Sequence, residues 1–164
     1  YGLVGSEMCI RDRGEAIIQM MATFVLMDRD SRKVHAVDPE IVAPYKSEFS
    51  KKLLRGPKYP ALEKTISKDY HVRFYDLDMN GHVNNSKYLD WIFEVMGADF
   101  LTKHIPKKVH LKYVKEVRPG GMIASSYDLE GLQSNHQISS DGEVNAQALV
   151  TWQEFKHENE EEQK

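Results

Sequence analysis

The sequence predicts an α+β fold, and three features of its second half carry that prediction. An apolar stripe at helical spacing runs through Tyr88, Leu89, Ile92, Phe93, Met96, Phe100 and Leu101, defining one long amphipathic helix. Alternating segments follow it: VHLKYVKEV, MIASSYDLEG and QSNHQISSDGEVNAQALVTWQEF. The last of these turns back at Asp141 and Gly142, a pair suited to a two-residue hairpin. A lone amphipathic helix must bury its stripe, and an antiparallel sheet is the partner on offer.

The chain has 164 residues, 41% of them hydrophobic, enough for about one ordinary core. Its opening, YGLVGSEMCIRDR, has no period, and EMCIRDR resembles translated adapter DNA from sequencing libraries. Residues 1–13 are therefore read as a non-native scar, and the chain as an N-terminally truncated piece of a longer protein. GEAIIQMMATFVLMD and KVHAV, separated by RDSR, read as two antiparallel strands joined near Asp30 and Ser31. Asp38 then caps a short helix with Pro39 at its first position and Glu40 in its first turn.

These elements, residues 14–46, look like the closing pieces of a first unit. Residues 47–68 carry Gly56, Pro57 and Pro60 among lysines and read as a linker. The second unit spans 69–156. It enters through DYHVRFYD, where Tyr70, Val72 and Phe74 alternate with His71, Arg73 and Tyr75 as on a strand. Asn84 or Asn85 would cap the long helix. The tail, 157–164, has nothing to bury and reads as disordered.

The net charge of −3 argues against non-specific nucleic-acid binding, which needs a basic face. No apolar run approaches the ~20 residues that span a bilayer, and the N-terminus lacks signal-peptide zones, so cytoplasm is the expected compartment. A single cysteine, Cys9, leaves no internal disulfide.

The chemistry concentrates in DLDMNGHVNNSKYLDW, Asp76 to Trp91. Asp76, Asp78, Asn80 and Gly81 imitate the start of a calcium-binding EF-hand loop, but the twelfth position, where a bidentate glutamate belongs, is Lys87. A zinc site from His71, His82, His104 and His110 lacks the helical spacing that aims two rings at one ion, and His35, His136 and His157 carry less signal still. Neither metal nor cofactor is expected.

Asp78, Asn80 and His82 sit two residues apart, so an extended backbone would send all three to one side, just ahead of a helix N-terminus. A carboxylate, an amide and an imidazole together suit attack of water on a carbonyl. The same composition also suits a plain turn followed by a helix cap, and spacing alone does not choose between them. No serine or cysteine in the segment has the context of covalent acyl transfer.

The stretch VRFYDLDMNGHVNNSKYLDWIFE resembles the second hotdog domain of acyl-ACP thioesterases, bacterial and plant enzymes that release fatty acids from acyl carrier protein. ATFVLMDRDSRKVHAVDPEI is similar to the closing strands of that family's first hotdog domain. The resemblance implies a long helix wrapped by an antiparallel sheet, twice per full-length chain, with the first unit incomplete here. By position it implies Asp78, Asn80 and His82 as catalytic residues and Glu116 as a fourth, from KYVKEVRPG. Composition alone reads Glu116 as a solvent-facing carboxylate beside Lys115.

The motif stretch also includes Asn84, Asn85 and Tyr88, assigned to substrate binding. Plant members carry a cysteine after the glutamate. Val117 stands there instead, which favours carboxylate- and histidine-assisted attack by water.

The implied partner is acyl carrier protein bearing an acyl-phosphopantetheine. Lys107, Lys108, Lys112, Lys115 and Arg118 suit docking of that acidic protein by charge, and equally suit a lysine-protected strand edge. An acyl-CoA thioesterase and a non-catalytic acyl-thioester-binding fragment are the alternatives. A truncated first unit would expose strand edges and apolar faces, which favours aggregation or a homodimer.

Overall fold

The computed structural model describes residues 3–28, 30–31, 33–45 and 56–155. The sequence-based linker from 47 to 55 and the tail from 157 to 164 lie outside them. The chain divides into two compact units, Tyr1–Arg55 and Gly56–Lys164.

In the first unit, β1 (Leu3–Asp12), β2 (Glu15–Met27) and β3 (Val34–His35) form a three-stranded sheet in that order. Leu3–Asp12, within the residues read as a scar, pairs antiparallel with β2 along its length. The turn between them is two residues, Arg13 and Gly14, both at positive φ (46° and 91°), the twist that suits a tight hairpin. The expected joint between β2 and β3 holds: Asp28 Oδ1 accepts from the Ser31 N–H and hydroxyl, each at 2.7 Å. Asp38 caps α1 (Pro39–Val42) by accepting from Glu40 N at 3.0 Å, as its sequence position foretold. Ile17, Met21 and Phe24 are exposed.

The second unit is the expected helix on an antiparallel sheet. Its strands are β4 (Ile66–His71), β5 (His104–Tyr113), β6 (Met122–Glu130), β7 (Gln133–Ser140) and β8 (Glu143–Glu154), in spatial order β4-β6-β7-β8-β5. Alternation fixes which face is dry: Ser134, His136 and Ile138 of β7, and Ala146, Ala148, Val150 and Trp152 of β8, are all buried. Against them lies α2 (Asn85–Glu94), through Tyr88, Trp91 and Ile92. Ser125 of β6, fully buried, donates its hydroxyl to the Trp91 carbonyl at 2.9 Å and ties sheet to helix. The β7–β8 hairpin turns at Asp141 and Gly142 with φ of 53° and 77°, as predicted.

Three expectations are corrected. The single long helix is broken: Gly97 at φ +82° ends the first run, and α3 (Ala98–Leu101) resumes the apolar stripe by laying Phe100 edge-on against Trp152. The entering strand begins earlier and ends sooner than read. β4 stops at His71, and Phe74 to Asp76 form a 3₁₀ turn that leaves Phe74 and Tyr75 exposed. The rest of the presumed linker belongs to the second unit: Asn135 Nδ2 donates to the Pro60 carbonyl at 2.8 Å, and Glu63 N donates to the Asp128 carboxylate. No helix among the described residues is long and apolar enough to cross a membrane.

Candidate active site

Of the two arrangements the spacing left open for Asp78–His82, an extended run and a turn ahead of a helix cap, the structure has the turn. Leu77 and Val83 form an isolated antiparallel bridge, and Val83 is buried as the anchor. Within the turn, Asp78 N donates to His82 O at 2.7 Å and Gly81 N to Asp78 O at 3.0 Å. Gly81 sits at φ +76°, a conformation that penalises any side chain with a Cβ.

The Asp78 carboxylate faces into this turn, where Oδ1 accepts from Asn80 N at 2.8 Å and from His82 N at 3.0 Å. The backbone bond from His82 is the main reason its acidity is strengthened, with the Asn80 bonds adding to it. A carboxylate held below its usual range is a weaker base. Asn80 is exposed near the tip. Just upstream, Asp76 is buried, accepting from Arg73 N at 2.7 Å. Burial raises its pKa, but the Arg73 hydrogen bonds and charge outweigh that and hold it low.

His82 leaves the turn in the other direction and meets Glu116. Nδ1 of His82 lies 3.2 Å from Glu116 Oε1. The side chains are 55% and 39% exposed, so the pair is in contact and open to water. Glu116 is no lone strand carboxylate: it lies beyond the end of β5, in the loop of residues 114–121. The sequence-predicted set therefore comes together in part. His82 and Glu116 are partnered, and Asp78 and Asn80 shape the turn beneath them.

The other assigned residues hold structure. Asn84 is the N-cap of α2, its Oδ1 accepting from Ser86 N at 3.0 Å and Ser86 Oγ at 2.9 Å. Asn85 opens the helix, and its carbonyl accepts from the Tyr113 hydroxyl at 3.0 Å. Tyr88 is core, edge-on to Tyr113, and its hydroxyl accepts from Val117 N at 3.1 Å. Burial raises the Tyr88 pKa above the ordinary tyrosine value, and the Glu116 charge adds to the rise.

A polar cleft of about 210 Å³ opens beside Glu116, bounded by Lys115, Arg118, Glu143 and Asn145 among others. Lys115 is ion-paired to Glu143. Lys107, Lys108 and Lys112 lie exposed on β5, the outer strand of the sheet. Asn145, buried, escaped the sequence reading, and His136, weighed there only as a weak metal ligand, is buried too. Neither stands in a motif.

Residues 59–154 match the family model of the acyl-ACP thioesterase C-terminal domain, and residues 5–45 that of the N-terminal domain. Among curated relatives, the chloroplastic palmitoyl-acyl carrier protein thioesterase of Gossypium hirsutum is 25% identical over 149 residues, covering 85% of this chain and 35% of that protein. Its Arabidopsis thaliana counterpart is 25% identical over 160 residues, with 90% and 38% covered. The chain thus spans well under half the length of these relatives.

Among solved structures, a Lactobacillus plantarum protein assigned as an oleoyl thioesterase superposes with a TM-score of 0.86 at 32% identity, covering 95% of this chain and 65% of that one. The 12:0-ACP thioesterase of Umbellularia californica shares the fold at a TM-score of 0.79 and 21% identity, over 94% and 63% of the two chains. With one family model spanning more than half of its residues, the chain belongs to the acyl-ACP thioesterase family.

Proposed function

We propose that the chain carries the hydrolytic half-site of a fatty acyl-ACP thioesterase, cleaving the acyl thioester to a free fatty acid and the carrier's thiol. The observation that carries the reading is the His82 Nδ1–Glu116 Oε1 contact at 3.2 Å. A carboxylate facing Nδ1 fixes the tautomer with the proton on that nitrogen and leaves Nε2 as an acceptor. Nε2 then takes a proton from water as its oxygen attacks the thioester carbonyl, and returns it to the departing sulfur as the C–S bond breaks.

Glu116 orients the ring and balances the imidazolium charge. Asp78 holds the turn that presents His82, and Asn80, on the same turn, is assigned to orient the carbonyl. Tyr88, Ile92 and Met96 are buried in the core, so the helix stripe is packing surface. Tyr88, buried, supports the site through its bond to Val117 N, and Asn84 and Asn85, exposed at the start of α2, are assigned to substrate binding.

The family membership supports acyl carrier protein as the substrate's carrier, and Lys107, Lys108 and Lys112 on the outer strand offer an acidic partner a basic edge. The test is to measure fatty acid release from the same acyl group on carrier protein and on coenzyme A, at low and high salt. The reading predicts preference for the carrier-bound substrate, with kcat/KM falling as salt rises for that substrate alone. Equal, salt-independent rates on both would reject the carrier assignment. Absence of hydrolysis on either would reject the activity.

A further inference from the structure

The loop of residues 114–121 lies outside the strands, yet it must hold the Glu116 carboxylate steady against His82. One of its anchors is a residue of β8, Asn145. The β7–β8 ladder pairs Ile138 with Ala146 and Ser139 with Val144, which skips Asn145. Asn145 is thus a bulged residue, and a bulge re-aims the side chain it carries. The consequence shows in burial: Asn145 and Ala146 are both buried in a strand that otherwise alternates.

The carbonyl and both ends of the side-chain amide of Asn145 are engaged. Its carbonyl accepts from Val114 N at 2.8 Å and Lys115 N at 3.1 Å. Its Nδ2 donates to the carbonyls of Lys115 and Glu116, both at 3.3 Å. The two carbonyls can only accept, which fixes the nitrogen end of the amide toward the loop, and Oδ1 accepts from the Ser140 hydroxyl at 2.8 Å. Asn145 is 1% exposed, and a buried amide is tolerated where its hydrogen bonds are satisfied. From the other side the Tyr88 hydroxyl accepts from Val117 N, so the backbone around Glu116 is clamped between a core tyrosine and a bulge asparagine.

We infer that Asn145 is a positioning residue: it sets the backbone of Lys115 and Glu116 so that the Glu116 carboxylate stands opposite His82. The inference rests on the hydrolase reading for its effect on rate, but its geometric content does not. Asn145 touches no reacting atom, so its loss acts through Glu116. A misplacement of about 1 Å costs on the order of 100-fold in rate.

The test uses the full chain in two readouts. In thioester hydrolysis, Asn145→Ala lowers kcat by about 10- to 100-fold with KM changed by less than about threefold. Added to Glu116→Gln it costs less than about twofold, because the group it positions is already disabled. A merely structural asparagine would cost the same in both backgrounds.

By NMR, the His82 ring-proton resonances of Asn145→Ala move from wild-type positions toward those of Glu116→Gln, a readout that needs no activity. If the Ala variant unfolds, Ser140→Ala, which removes only the bond orienting the amide, must produce the same movement in smaller measure. Folded variants whose His82 resonances stay at wild-type positions overturn the inference. Wild-type chain without hydrolysis, but with His82 responding to Asn145, overturns the hydrolase reading alone.

Discussion

Acid should loosen this protein through His136 before it reaches the carboxylates. The ring is 1% exposed, with Tyr127 stacked at 5.7 Å. Trp152 Nε1 donates to Ser134 Oγ at 2.7 Å, and Ser134 Oγ lies 2.7 Å from His136 Nε2. The hydroxyl oxygen receives the indole N–H and keeps its own proton to donate to Nε2 of the neutral ring. Protonation would set N–H against O–H and strand a charge in the core, while Nδ1 already has no partner among the described residues.

Burial accordingly pushes the His136 pKa down from 6.5 to about 4. The folded-state value lies below the unfolded one, so the stabilisation is whole above pH 6.5 and is lost as pH falls toward 4. At 1.36 kcal/mol per unit, the gap amounts to about 3 kcal/mol, most of it gone by about pH 4.5. Urea unfolding at pH 7, 6, 5 and 4.5 measures the slope. His136→Gln keeps an acceptor for Ser134 and cannot charge, so its stability should be much flatter across that window. Parallel slopes for the two proteins would refute the reasoning.

Other parts of the second unit give smaller, separable outcomes. Asn84→Ala removes the cap of α2 and should lower stability by about 1 kcal/mol in chemical denaturation. Ile92→Ala opens a cavity at a residue 1% exposed and should cost about 2–5 kcal/mol by the same method. Gly81→Ala meets open space but is held at φ +76°, so the cost is conformational, about 1 kcal/mol, read as a lowered Tm.

The parts of the fold that could be read from residues were those decided locally. Asp38 and Asn84 cap helices because a side-chain oxygen can reach an N–H two residues on, and Asp141-Gly142 turns because both can take positive φ. Periodicity misled where it is blind to backbone sign: the stripe from Tyr88 to Leu101 runs on across Gly97, because α3 returns Phe100 to the same core. In Asp78–His82 the spacing left an extended run and a turn both open, and an aspartate that accepts its own downstream N–H groups competes with extended pairing and decides for the turn. Glu116 had no local signal, since its partner His82 is far away in sequence. Alternation with buried Ala146, Ala148 and Val150 would send Asn145 outward, and only the bulge turns it inward.

The most direct test of the site is a kinetic cycle on one acyl-carrier substrate with His82→Ala, Glu116→Gln and the double variant, each checked for wild-type folding. If the imidazole and carboxylate act as one unit, either single change lowers kcat by about 10²–10⁴-fold and the double variant is scarcely worse than the more damaging single. Near-wild-type turnover in either single variant, or losses that multiply in the double, would contradict the account.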